Sequence, residues 1–271
     1  MLSAPPILIP LAISTRHERM TPMLEICIDG VASARAALAG GADRVELCAN
    51  LPEGGTTPSA GMIRAARTAF TRGLMVIIRP RGYDFLYSDD ELEVMRHDVH
   101  VARELGADGV VIGCLTPEGR VDAARCQRLL DAAGSMDVTF HRAFDMTRDL
   151  GEALEDIVAL GIKRILTSGG QPDVPAGQAA IAELVRQSAG RASLMPGGGV
   201  TAENLAEIVS ATGVREIHLS ARQAVPSGMQ YRNENCSMGN YSKDHEYEWR
   251  EASAEKIRLA KTALANALAR S

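Results

Sequence analysis

Two Glu-x-Cys steps, Glu25–Cys27 and Glu46–Cys48, stand in the first two short apolar runs of the chain. A carboxylate is a proton carrier and a thiolate is a nucleophile and soft metal ligand, so each step pairs two kinds of chemistry. Further along, polar residues close other apolar runs. They are Arg79 and Arg81, followed by Tyr83 and Asp84; Cys114; and the His141-Arg142-Ala-Phe-Asp145 stretch. Thr167-Ser168-Gly169-Gly170, Gly197-Gly198-Gly199 and His218 with Ser220 complete the set. Glu25, Glu46, Arg79, Arg81, His141, Arg142, Asp145 and His218 are the candidates for catalysis. His141 or a Glu would serve as general base, with Arg79 and Arg142 as clamps on an anion. Successive backbone N–H groups in Ser168, Gly169, Gly170 and in Gly197, Gly198, Gly199 form a candidate anion cradle, strengthened if a helix starts nearby.

Each feature also has a purely structural use. Glu25 and Glu46 can form a closed ion-pair layer neutralised by Arg79 or Arg142. The glycines can serve as turn residues where φ is positive. Cys114, Cys126 and Cys236 fit the behaviour of small buried hydrophobes. Cys27 and Cys48 differ, because each lies two residues beyond a Glu on what would be neighbouring parallel strands ~4.8 Å apart. Two thiolates so placed can hold a soft ion of low coordination number such as Cu(I).

Eight apolar, β-branched runs can be counted: 24–28, 44–48, 74–78, 109–113, 137–141, 163–167, 192–196 and 215–220. Between and after them lie helical stretches at 32–42, 59–70, 89–107, 122–134, 149–161, 176–190, 201–213 and 252–268. Most open on Asp, Ser or Thr and several close on Gly, as helix caps do. Nearly continuous apolar strands are buried on both faces, which parallel strands under crossover helices require. Eight even βα units therefore predict a single-domain (β/α)8 barrel, in which the residues closing each strand share one mouth. An open doubly wound sheet is the alternative, weakened because no Gly-x-Gly-x-x-Gly follows the first strand. Residues 223–250 read as one irregular loop, of a length usual for lids or disordered segments.

The 271 residues include 46% hydrophobic and 23% charged, which excludes collagen-like, disordered and disulfide-scaffold classes. A net charge of −5 gives no long-range attraction to nucleic acid or anionic membrane, and aromatics at 4% argue against base-stacking platforms. Five cysteines without a Cys-x-x-Cys pair suit reduced thiols in a cytosol rather than a disulfide framework. The apolar run 7–13 is too short and too Pro-interrupted to span a bilayer, and no Lys or Arg precedes it as a signal peptide requires. Residues 1–22 are expected to lie outside the barrel, 23–271, as an extension or a misassigned start before Met23.

The segments MLEICIDG (23–30), GGADRVELCANLPEGGTTPSAG (40–61), IIRPRGYDFLYSDDELEVM (77–95), LGADGVVIGCLTPEGRVD (105–122), VTFHRAFD (138–145), RILTSGG (164–170) and MPGGGVTAENL (195–205) resemble the CutC copper-homeostasis family. The likeness runs from about 23 to 222 and continues in YRNENCSMG (231–239). It implies a cytoplasmic TIM-barrel protein, homo-oligomeric, with Cu(I) bound at Cys27 and Cys48. No organic cofactor is expected. Metal buffering leaves the paired Glu, the Arg-Pro-Arg turn and the glycine loops unused. These suit an isomerase, lyase or hydrolase acting on a small anionic or phosphorylated substrate, so both readings stand at this point.

A chain beginning at Met23 is expected to keep its thermal midpoint within a few degrees of the full chain, read by calorimetry. A large loss would show that the extension contributes to the barrel.

Overall fold

The computed structural model describes residues 22–270, apart from 234, 237 and 239–245. The proposed extension, residues 1–22, lies outside the described residues except for position 22. Strands β1 (Met23–Ile28), β2 (Arg44–Leu47), β3 (Gly73–Ile77), β4 (Gly109–Ile112), β5 (Asp137–Phe140), β6 (Arg164–Thr167), β7 (Ser193–Pro196) and β8 (Glu216–Leu219) pair in parallel in the order β7-β6-β5-β4-β3-β2-β1-β8. A parallel bridge between Gly197 and His218 joins β7 to β8. The result is a (β/α)8 barrel.

The helices are α1 (Val31–Gly40), α2 (Ala60–Ala69), α3 (Asp89–Glu104), α4 (Ala123–Ala133), α5 (Leu150–Ala159), α6 (Val174–Ser188), α7 (Leu205–Thr212) and α8 (Ala254–Arg270). Their starts are set locally. Ser59, Asp122, Asp149 and Asp173 cap α2, α4, α5 and α6 through side-chain acceptors, and Ser88 with Glu91 forms a capping box on α3. One departure concerns α7, which begins at Leu205 rather than directly after the glycines. Asn204 accepts from Thr201 N and donates to Gly199 O, so residues 201–204 form a turn before the helix.

A second departure corrects the reading of 223–250 as irregular throughout. Its ends form an antiparallel ribbon, β9 (Arg222–Pro226) with β10 (Glu248–Ala252). No apolar alternation marks it in sequence, because most of the ribbon's side chains are exposed or half-buried and charged residues are tolerated there. Ala252 N donates to Ser33 Oγ and ties the ribbon back to α1.

The barrel's interior is not wholly apolar. Arg44 is buried and hydrogen-bonds the Glu25 carboxylate through Nε, while its Nη2 donates to Glu216 at 2.8 Å. Arg164 donates to the same Glu216 oxygen at 2.6 Å and reaches Thr139 at 3.3 Å. Strands β1, β2, β5, β6 and β8 are thus joined by one charged layer. Removing one member of such a layer leaves a charge without its compensation in low dielectric.

Arg44→Met is expected to cost roughly 3–5 kcal/mol in urea unfolding, because Glu25 and Glu216 stay buried with only their remaining partners. Burial alone would raise the Glu25 pKa, but the Arg44 charge and the His218 contact outweigh it and hold the carboxyl well below the usual range. A depressed carboxylate stabilises the fold above its unfolded pKa of ~4.3 and loses that contribution as pH falls toward the folded value. Arg44→Met should therefore flatten the acid limb of the stability curve as well as lower its plateau.

Candidate functional site

Period-two alternation places Glu25 and Cys27 on the same face of β1, and Glu216 and His218 on the same face of β8. The register then decides who meets whom. Cys27 stands opposite Glu46, and Glu25 opposite both Arg44 and His218. This corrects the expectation that Cys27 and Cys48 occupy equivalent rungs, since β1 and β2 are offset by the stagger that a closed barrel needs. Cys48 sits just past the end of β2, and its sulfur still lies 3.8 Å from Cys27 Sγ. Gly55 makes this possible, because a Cβ there would come within 3.2 Å of Cys48 Sγ.

His218 joins the thiols to the charged layer below. Its Nδ1 is 2.8 Å from Glu25 Oε1 and its Nε2 is 3.7 Å from Glu46 Oε2. One ligand atom each from Cys27, Glu46 and Cys48, and from Glu25, Glu46 and His218, gathers within 4.8 Å. Burial disfavours the imidazolium, yet hydrogen bonds with Cys27 and Glu25 and the charges of Glu46 and Glu25 overcome this and raise the His218 pKa well above its ordinary value. The Cys48 hydrogen bond, helped by His218, brings Cys27 down to about 6 against the cost of burial. Cys48, as the donor to Cys27 and itself buried, is pushed well up and keeps its proton. Burial and the neighbouring Cys27 charge push Glu46 up to about 8, so this carboxyl is largely protonated at neutral pH. The site at pH 7 thus holds a thiolate, a thiol, an imidazolium and a neutral carboxyl.

The remaining sequence-chosen residues lie elsewhere around the mouth. Arg79 is buried with Nη1 on the carbonyls of Glu53 and Gly55 and Nη2 on that of Tyr83, and so pins the 50–57 loop over Cys48. Arg81 pairs with Glu91 at 2.6 Å and Asp84 at 3.0 Å, bracing the segment before α3. His141 Nδ1 accepts from Ala143 N at 3.2 Å and its ring packs beside Phe85. Burial and the Arg79 charge push its pKa down to about 3, which removes most of the basicity a general base needs. Neither Arg79 nor Arg142 neutralises Glu25. The structure gives that task to Arg44, whose guanidinium lies inside the barrel beside it.

The Ser168–Gly170 cradle is filled from within. Asp145 accepts from Ser168 N at 3.0 Å, Gly170 N at 3.0 Å and Thr167 Oγ1 at 2.5 Å, while Gly169 N donates to Thr167 Oγ1 at 2.8 Å. Arg142 Nε completes the carboxylate's partners at 2.7 Å. An external anion on these amides would have to displace Asp145. Gly197 N is likewise engaged, by Thr167 O at 3.0 Å. Gly198 N and Gly199 N make no hydrogen bond within the described residues.

The family model for CutC matches residues 22–223. The chain belongs to the CutC family. A CutC protein from Bacteroides thetaiotaomicron is 51% identical over 234 residues, covering 86% of this chain and 94% of that one. The human copper homeostasis protein cutC homolog is 44% identical over 246 residues, covering 91% and 90% respectively. A CutC crystal structure from Streptococcus agalactiae superposes with a TM-score of 0.71 at 36% identity, covering 74% of this chain and 99% of that chain.

Arg44, Arg164 and Glu216 were missed by reading only the C-terminal ends of the strands. Their signal was present, since Glu216-x-His218 repeats the spacing of Glu25-x-Cys27 and charged residues open β2 and β6. Among the described residues no helix is long and apolar enough to cross a membrane.

Cys27 is expected to alkylate with iodoacetamide ahead of Cys48, with a rate that rises with pH around a midpoint near 6. His218→Asn should move that midpoint upward, because the imidazolium that favours the thiolate is gone; peptide mapping by mass spectrometry reads both effects. A wild-type midpoint near 9 would contradict this thiolate assignment.

Proposed function

We propose that this CutC-family protein binds Cu(I) through Cys27 and Cys48 at the mouth of its barrel, as part of copper homeostasis in the cytosol. The observation that carries the reading is the 3.8 Å sulfur–sulfur distance. It is far beyond a disulfide bond of ~2.05 Å and leaves both sulfurs free to turn toward one soft ion placed between them. Glu46 stands close enough to both sulfurs to support a third contact.

Charge balance favours a monovalent ion. The pair already shares one proton between thiolate and thiol, so exchanging H⁺ for Cu⁺ leaves the charge of the buried cluster unchanged. A divalent ion would add a positive charge beside Arg44 and His218. The names of the relatives and the reduced thiols that such a site needs agree with this role and with a cytosolic setting.

A second reading has its own observation. The Glu25–His218–Glu46 chain sets an imidazolium against a carboxyl that titrates at about 8, the arrangement of an acid–base pair. In that case the mouth acts on a small molecule as an isomerase, lyase or hydrolase, with Glu46 as proton donor.

For the copper reading, Cys27→Ser and Cys48→Ser should each weaken Cu(I) binding by more than the ~10–100-fold typical of losing a supporting residue, measured by competition with a chromogenic chelator. Between the Cys27 pKa of about 6 and the high Cys48 pKa, binding releases one proton, so affinity should rise ~10-fold per pH unit. Wild-type affinity that is weak and indifferent to both substitutions would remove the copper site. Turnover in a substrate screen that Glu46→Gln abolishes and Cys48→Ser spares would favour the enzyme.

A further inference from the structure

The mouth has a second half that neither thiol nor carboxyl reaches. Arg142 lies there, at the end of β5, with 39% of its side chain exposed. Three contacts lock its orientation. Nε donates to Asp145 at 2.7 Å, and Nη2 donates to Ser168 Oγ at 2.5 Å and to Gln171 O at 3.4 Å. Nη1 has no protein partner among the described residues.

That free end faces Gly198. A Cβ built on Gly198 would stand 3.2 Å from Arg142 Nη1, and the residue's φ of 108° is one that side chains other than glycine rarely adopt. The backbone therefore approaches the guanidinium more closely than a bulkier residue would permit. Gly198 N and Gly199 N are the two glycine amides left without acceptors, in contrast to those of residues 168–170, which Asp145 and Thr167 satisfy. Asp173, whose carboxyl carbon would lie 3.6 Å from a Cβ on Gly199, is turned to the α6 cap, its Oδ1 accepting from Ala176 N at 3.0 Å.

We infer that Arg142 Nη1 with the Gly198 and Gly199 amides forms an oxyanion-binding subsite for a phosphate or carboxylate group of a small molecule. One guanidinium nitrogen and two amides are charge-assisted and neutral donors of the kind such a group accepts. Asp145 serves as the positioning residue. Bonded to the Ser168 and Gly170 amides, it holds Arg142 from behind through Nε and leaves Nη1 presented. The subsite adjoins the thiol half directly, since Gly197 precedes it and bridges His218. The inference depends on neither reading of that half.

Nitrogen-15-labelled, metal-free full chain titrated with inorganic phosphate, and separately with acetate, against chloride at matched ionic strength tests it. The Gly198 and Gly199 amide resonances should shift saturably with at least one of the two oxyanions and not with chloride, and the stronger of the two identifies the favoured group. Arg142→Gln should weaken that binding at least ~10-fold, as expected for loss of a charged donor. Lys163→Met, in the cavity at the opposite end of the barrel where β5 and β6 begin, should leave it unchanged. Should Arg142→Gln fail to fold, Gly198→Ala, which places a methyl against Nη1, should abolish the shifts. Silent Gly198 and Gly199 resonances with both oxyanions, or equal binding by the folded Arg142 variant, would overturn the subsite. Because no copper is present, neither outcome bears on Cu(I) binding.

Discussion

Glu25 has two oxygens and two tasks. One oxygen holds Arg44 in the middle of the barrel, and the other holds His218 Nδ1 at the mouth. Through this carboxylate the charged layer that ties β1, β2, β5, β6 and β8 together also sets the protonation of the site above it. An imidazolium in contact with an ionised Glu25 can stabilise a thiolate at Cys27. A neutral imidazole would not. His218 favours a charged Glu46 too, but burial first, and then the negative charges of Cys27 and Glu25, outweigh it. Two carboxyls on neighbouring strands therefore end in opposite states, one ionised and structural, the other protonated and available.

The mouth divides into halves with different chemistry. On the β1, β2 and β8 side the groups are soft or proton-carrying, and they are packed under a loop that Arg79 fastens. On the β5, β6 and β7 side an internal carboxylate, Asp145, fills the amide cradle and orients a half-exposed guanidinium. Arg79 and Arg142 are both arginines at strand ends, yet their partners separate them. Arg79 is buried and spends both terminal nitrogens on carbonyls, so it contributes position, whereas Arg142 presents an open terminal nitrogen at a half-exposed end.

Much of the architecture could be read from the chain. All eight barrel strands fall within a residue or so of the apolar runs, because a parallel strand covered on both faces must be nearly continuous in Val, Ile and Leu. The helix starts at Ser59, Ser88, Asp122, Asp149 and Asp173 were legible for an equally local reason, since a capping side chain bonds an amide three residues away. The ribbon β9–β10 escaped notice. Its strands are short and exposed, and an exposed ribbon needs no apolar pattern.

Sequence alone determined the barrel and the residues that gather at its mouth, because the spacing of the apolar runs and side-chain alternation are local consequences of residue type. Only the tertiary structure decided the partners. The stagger of β1 against β2 set Cys27 opposite Glu46, barrel closure brought His218 to Glu25 across nearly the whole chain, and Asp145 entered a cradle that looked open to ligands. Ionic and hydrogen-bonded pairs of this kind depend on register and on distances of a few tenths of an ångström between segments far apart in sequence. No local pattern encodes those distances, so which charge neutralises which, and which donor is left free, is settled only when the barrel closes.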